Sequence, residues 1–251
     1  MNRLLKQLFY GLFYLVLLFA IGLGVYFLAL KPAPTCFDNK LNQGEEEVDC
    51  GGPCPSCELK RLEPLKISPV IILESGEDLI TAIFEIRNPN RNYGSDKFTY
   101  VLNIYDSAGN NLASFSEESF IYASQIKTVV EPGLKIKFAK IARSEVLVAD
   151  LSWRPRTEFS LPKIQTREIK INREKTGVTV MGVLVNENAF RLPQVGISAV
   201  VYDGIGLEKG GSKTFARDVE AFEERFFKIF IPISIGAIDS KLTRVFMEAR
   251  Q

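Results

Sequence analysis

Residues 84–109 read FEIRNPNRNYGSDKFTYVLNIYDSAG, and residues 183–206 read VLVNENAFRLPQVGISAVVYDGIG. The two segments line up. Asn88 matches Asn186, Tyr105-Asp106 matches Tyr202-Asp203, Gly109 matches Gly206, and the offset stays at 97 or 98 residues. A fixed offset of domain size is the signature of tandem copies. Within the first copy apolar residues alternate. Ile80, Ala82, Phe84 and Ile86 share one face, and Phe98, Tyr100, Leu102 and Ile104 share another. A period of two marks half-buried strands, and Asn88-Pro89-Asn90, Asp106-Ser107-Ala108-Gly109 and Pro132-Gly133 supply the turns between them.

Each copy has the length and strand spacing of an immunoglobulin-type sandwich, about seven short strands in about 100 residues. IYASQIKTVV and VLVADLSW, from residues 121 and 146, continue the strand pattern. RPRTEFSLPK, between Trp153 and Ile164, holds two prolines and few core residues, so the boundary falls there. The Asp-x-x-Gly ends suit hairpins, because Asp accepts from backbone N–H groups and Gly takes positive φ. Asp106 and Asp203 are therefore read as structural, and Trp153 and the 18 phenylalanines as core. GLEKGGSKT, residues 206–214, lacks the G-K-[ST] order of a phosphate loop and has no following helix.

The copies resemble FxLYD-type domains, an Ig-like family of exported and membrane-tethered prokaryotic proteins. The residues that carry the resemblance are Asn88 and Asn186 at a strand end, the strand ends Leu102 to Asp106 and Ala199 to Asp203, and the Gly three residues after each Asp. The resemblance implies binding or spacing roles and no common catalytic site.

Toward the N-terminus the material changes. QLFYGLFYLVLLFAIGLGVYFLAL, residues 7–30, carries no charge and would reach roughly 36 Å as a helix, enough to cross a bilayer from Leu8 to Leu30. Tyr10, Tyr14 and Tyr26 lie toward its ends, where amphipathic rings favour the headgroup layer. A cleaved signal peptide would have a shorter apolar run followed by small residues, whereas this run ends in Leu30-Lys31-Pro32. Arg3 and Lys6 precede the helix, while Lys31 and then Asp38, Glu45, Glu46, Glu47 and Asp49 follow it. Positive residues stay in the cytoplasm, so the C-terminal domains are expected outside.

Between helix and sandwiches lies CFDNKLNQGEEEVDCGGPCPSC, residues 36–57, which holds all four cysteines: Cys36, Cys50, Cys54 and Cys57. A segment this short builds no core and needs staples. Three readings compete. Zinc sites normally bring two close Cys pairs, and Cys36 has no near neighbour. Cys54-Pro55-Ser56-Cys57 has the form of a thioredoxin-like redox site but not its βαβ surroundings. Two disulfides fit an oxidising compartment, with three pairings open. The acidic loop adds hard oxygen donors, Asp38, Asn39, Asn42, Glu45 and Asp49, as candidate calcium ligands. Asp38, Asn42 and Asp49 take EF-hand positions, but Lys40 stands where a ligand belongs and Gly44 comes one place late. A merely solvated acidic loop answers equally well. The pattern C-x-D-N-x-x-N-Q-x-E-x-x-x-D-C-G-G-x-C-x-x-C resembles a short Cys-rich module of exported bacterial and archaeal proteins, which implies an exported location and no activity.

The expected architecture is mainly β. A cytoplasmic tail (1–6), a transmembrane helix (7–30) and a Cys-rich juxtamembrane module (31–58) precede a sandwich (59–155), a linker (156–162) and a second sandwich (163–251). The chain has no histidine, which removes the usual general base and metal ligand, and a net charge of +1 offers no field for nucleic acid. No cofactor is expected apart from the calcium alternative. The leading reading is a non-catalytic binding or scaffolding module of the cell envelope, anchored by one helix, with an envelope protein or surface polymer as partner. KTGVTVMGVLVN and FFKIFIPISI would be adhesive if left as an edge. The alternatives are a membrane-complex subunit assembled through Ala20, Gly22 and Gly24, and an enzyme built on a carboxylate pair.

Overall fold

The computed structural model describes residues 3–26, 35–233 and 238–250. It divides into two compact units, Met1–Leu62 and Glu63–Gln251. In the first unit, helix α1 spans Arg3–Val25, and its stretch Lys6–Val25 is long and apolar enough to cross a membrane. Leu8 sits on this helix with its side chain exposed. Leu30, the expected end of the span, lies outside the described residues.

The second unit is two β-sandwiches of the same topology, and among the described residues each has six strand positions where the sequence suggested about seven. In the first, β1 (Lys66–Ile67) and β2 (Ile71–Gly76) lie along one side of β3 (Leu79–Arg87), with β6 (Ile126–Lys135) on the other side. β1 and β2 are one strand position interrupted at Pro69, which has no N–H to give to a ladder. Ser68 bridges the gap, since its N–H donates to Glu85 O and its Oγ accepts from Glu85 N. The facing sheet has the order β5 (Asn111–Ile121), β4 (Tyr93–Tyr105), β7 (Arg143–Pro155). The second sandwich repeats the scheme. One sheet runs β8 (Ile164–Glu174), β9 (Gly177–Asn186), β12 (Glu224–Pro232); the other runs β11 (Glu208–Val219), β10 (Leu192–Tyr202), β13 (Asp239–Ala249).

The alternation read from the sequence is the packing observed. Ile80, Ala82, Phe84, Ile86, Phe98, Tyr100, Leu102 and Ile104 are all buried between the first two sheets. Val178, Val180, Leu184, Ile197, Ala199, Val201, Phe227, Ile229 and Ile231 form the second core. The Asp turns are also matched. Asp106 Oδ1 accepts from the N–H groups of Ala108 and Asn110, Asp203 Oδ1 from those of Ile205 and Leu207, and Gly109 and Gly206 sit at φ +83° and +86°.

The repeated asparagine closes a corner in each copy. Asn186 donates through Nδ2 to Phe190 O and Glu220 O at 3.0 and 2.8 Å, and its Oδ1 accepts from both nitrogens of Asn188. Asn188 in turn pairs with the backbone of Lys163, which ties the start of β8 to the corner. Asn88, Asn90 and Glu63 repeat this arrangement in the first copy. Because Asn186 is fully buried, Asn186→Ala strands several backbone groups without partners. The expected loss is about 1–3 kcal/mol, seen as a lower urea midpoint of the full chain. An unchanged midpoint would contradict the corner's role.

Candidate functional site

In the Cys-rich segment Cys36 pairs with Cys54 and Cys50 pairs with Cys57, and no free cysteine remains among the described residues. This removes the thiolates that zinc would need. It also overturns the redox reading, because Cys54 and Cys57 bond to other partners and not to each other. The segment folds around tight turns. Glu46 and Glu47 donate their N–H groups to Cys50 O, and Gly51 N donates to Pro55 O. Gly52 has φ +58°, and a Cβ there would lie 2.2 Å from Gly44 O, so only glycine fits.

The five acidic-loop residues hold this shape. Asp49 accepts from the N–H groups of Asp38 and Asn39 at 3.0 Å, and Glu45 Oε2 accepts from those of Asn42 and Asp49 at 3.2 Å. Asp38 accepts from Lys40 N and Asn42 Nδ2, and the Asn42 bond is the main cause holding its carboxyl below the usual range. Asp38, Asn42, Glu45 and Asp49 thus converge, while the exposed Asn39 contributes its backbone N–H. Each carboxylate serves the N–H groups of its own loop, and Asn42 Oδ1 is the one buried oxygen of the set without a hydrogen bond. Calcium takes six to eight oxygens, so it would have to compete with these internal donors.

In the Glu63–Gln251 unit a second polar cluster lies where the sandwiches meet. Strands β3 and β6 present Ile83 and Val130 on their outer face, and these are buried against Val200, Tyr202 and Phe246 of the second sandwich. Gly211 permits the approach, since a Cβ there would already touch Ile83 and Val130 at 3.0 Å. Beside this apolar seam is a cleft of about 190 Å³ lined by Tyr100, Glu117, Lys127, Glu131, Lys213 and Glu248 among others. Lys213 Nζ donates to both oxygens of Glu131 at 2.8 and 2.9 Å, and Tyr100 Oη donates to Glu131 Oε1 at 2.6 Å. Lys127 Nζ lies 2.5 Å from Glu248 Oε2, donates to Ser119 Oγ and Phe120 O, and sits 4.3 Å from the Phe120 ring centre. Tyr122 Oη adds a bond to Ala249 O at 2.8 Å. Burial pushes the Lys127 ammonium below its ordinary value, against the pull of Glu248, and pushes the Tyr100 hydroxyl up.

The charges here are matched across the two sandwiches, which makes the cluster a specific lock between them. Sequence reading passed over it, yet a signal exists. Lys127, Val129 and Glu131 alternate opposite Ile86, Phe84 and Ala82, so two charges interrupt a core-facing row.

The equivalent outer face of the second sandwich's β8–β9–β12 sheet keeps several large side chains exposed among the described residues. β12 is an edge strand and β9 is central. On the outer face of their sheet, Val183 pairs with Phe226 and Arg167, and Met181 pairs with Lys228 and Lys170. Phe226 is 64% exposed and Phe230 41%. Asn186 N donates to Glu223 O and Ile233 N to Thr176 O. Ladder bonds alternate along an antiparallel pair, so the backbone groups of Glu224, Phe226, Lys228 and Phe230 point off the free edge.

No family model matches the chain, and no curated protein matches it. Among solved structures the chain is similar to the crystal structure of red sea bream transglutaminase, at 12% identity and a TM-score of 0.27, over 76% of this chain and 32% of that one. The chain thus spans about a third of that protein's length, and so loose a likeness carries no argument.

The Lys127 lock has a pH signature. Its folded value lies below a lysine's ordinary 10.5, so within that window the unfolded chain binds the extra proton and stability rises with pH. Lys127→Met removes this contribution. The stability of the native chain relative to Lys127→Met should therefore increase as the pH is raised toward 10.5 in paired urea titrations, whereas a constant difference up to that pH would contradict it.

Proposed function

We propose that this chain is a single-pass, membrane-anchored extracytoplasmic protein whose two Ig-like sandwiches form a binding and scaffolding module of the cell envelope. The observation that carries the reading is the aromatic face and free edge of β12. Met181, Val183, Phe226 and Phe230 make an apolar patch that Lys228 interrupts, with Lys170 and the Arg167–Glu224 ion pair beside it. Such patches on soluble domains mark interaction sites, and unpaired edge groups add hydrogen bonds to a partner. Pro232 ends the edge and Lys228 interrupts it, devices that limit indiscriminate pairing.

The anchor and the staples support the same reading. Helix α1 carries its apolar side chains exposed, as a lipid-facing segment does, and two disulfides suit a chain held outside the reducing cytoplasm. The role is non-catalytic in this reading, with the carboxylates of the cleft committed to Tyr100, Lys127 and Lys213. The FxLYD-type resemblance, with its binding and spacing roles, agrees with it. A surface polymer or an envelope protein is the class of partner, and no nucleic acid is involved.

Native gels of membranes solubilised in mild detergent test the proposal. The wild-type chain should migrate in a species larger than itself, and Phe226→Ser with Phe230→Ser should release it. A wild-type chain that runs alone would overturn the reading.

A further inference from the structure

The Cys-rich segment is built around a polar hub. Asp49 Oδ1 accepts from the N–H groups of Asp38 and Asn39 at 3.0 Å, and Asp38 Oδ2 accepts from Asn42 Nδ2 at 2.9 Å. Asp38, Asn42 and Asp49 are half-buried, and each has an apolar neighbour in the chain: Phe37, Leu41 and Val48. With the hub side chains engaged among themselves and with their own backbone, those neighbours are left to solvent. Phe37 is 83% exposed, Leu41 62% and Val48 42%. The same bonds draw the backbone around Phe37 and Val48 together, and the Cys36–Cys54 disulfide ties the residue before Phe37 to the far end of the segment.

An aromatic ring and two aliphatic side chains held out by so small a stapled unit mark a contact surface. The chain itself supplies the apolar neighbour. The uncharged run ends at Leu30, and Phe37 follows Lys31 by six residues, which reach at most about 22 Å. With that run in a bilayer, the segment cannot leave the bilayer's surface. Tethering of this kind sets a high effective concentration of lipid, so a few apolar side chains suffice for contact. Charge does not drive it, since the stretch from Cys36 to Arg61 has six acidic and three basic residues.

We propose that Phe37, Leu41 and Val48 seat the Cys-rich segment in the headgroup layer of the membrane that anchors the chain. The inference rests on the anchored reading given above and adds a second membrane contact to the helix. The three side chains enter the boundary between headgroups and acyl chains, as the apolar face of an interfacial element does. Lys40 is exposed between Phe37 and Leu41 in the chain, and Lys60 Nζ donates to Val48 O. Their ammonium groups thus stand beside the apolar side chains, where lipid phosphates lie, while their stems cover apolar surface.

The test uses the full chain reconstituted in phosphatidylcholine vesicles with or without bromine on the acyl chains, which quenches an indole on contact. Phe37→Trp adds an indole to the chain's single tryptophan, Trp153, whose signal is subtracted using the native chain. Position 37 is exposed, so the fold does not depend on it. The indole at position 37 should lose most of its emission in brominated lipid, and Leu41→Asp with Val48→Asp in the same chain should restore it. Ile205→Trp, an equally exposed position in the second sandwich, should keep its intensity. Leu18→Trp, on α1, reports on the anchor. Quenching at position 18 without quenching at 37 would overturn the inference and leave the anchor standing, whereas quenching at neither would remove both. An unquenched but blue-shifted emission at position 37 would mean that protein covers the surface instead. Quenching that survives the two aspartates would mean that the tether alone brings the segment to lipid. Equal quenching at position 205 would mean that the contact is not the segment's own, and each of these three outcomes overturns the inference.

Discussion

From Ile80 to Phe84, strand β3 is buried on both of its faces, and the architecture of the Glu63–Gln251 unit depends on that. Its inward row, Ile80 to Ile86, builds the core of one sandwich. Its outward row places Ile83, together with Val130 of β6, against the second sandwich. A strand with one wet face would leave two sandwiches on a string. A strand dry on both sides makes them one body, and the Lys127–Glu248 and Lys213–Glu131 pairs set the register of that body. Burying such charges brings little net stability, but a mispaired arrangement would strand them, so they select one mutual orientation.

The repeat explains why the same devices occur twice. The Asn corner, the Asp turn and the split of six strand positions into two sheets recur about one domain length apart, because each solves a backbone problem that is local to one sandwich. Lys127 and Arg225 illustrate how the copies then diverge. Both occupy the inward row at the open side of their sandwich and donate to backbone carbonyls there, Phe120 O in one copy and Asp218 O in the other. Lys127 also reaches across to Glu248, whereas Arg225 is held by Glu223 within its own sandwich. The first is an interface residue and the second a local brace, and the difference follows from what covers each face.

Much of this was legible in the chain. Period-two alternation gave the core rows of β3 and β4, since burial on one face is a property of consecutive residues. The repeat and its turns were legible because Asn, Asp and Gly answer specific backbone demands. The burial of Ile83 was not, because Val200, which covers it, lies more than a hundred residues away in sequence and alternation is silent about a second dry face. The cysteine pairing was equally out of reach: spacing allows three pairings, and the fold of the loop around Gly44, Gly51 and Gly52 brings together Cys36 with Cys54 and Cys50 with Cys57. The acidic residues of that loop looked like ligands from composition alone. In the structure their oxygens are turned to the loop's own N–H groups, a role that composition does not distinguish from ligation.

The claim on which the cellular reading turns is that the segment after the helix resides in an oxidising compartment. The most direct measurement is a thiol count on the full chain, denatured from native membranes in the presence of a chelator, alkylated without reduction and weighed intact. The account predicts no alkyl group added, all four cysteines being tied up in two disulfides. Addition of four groups, one on each of the chain's four cysteines, would place the segment in a reducing compartment and contradict the account.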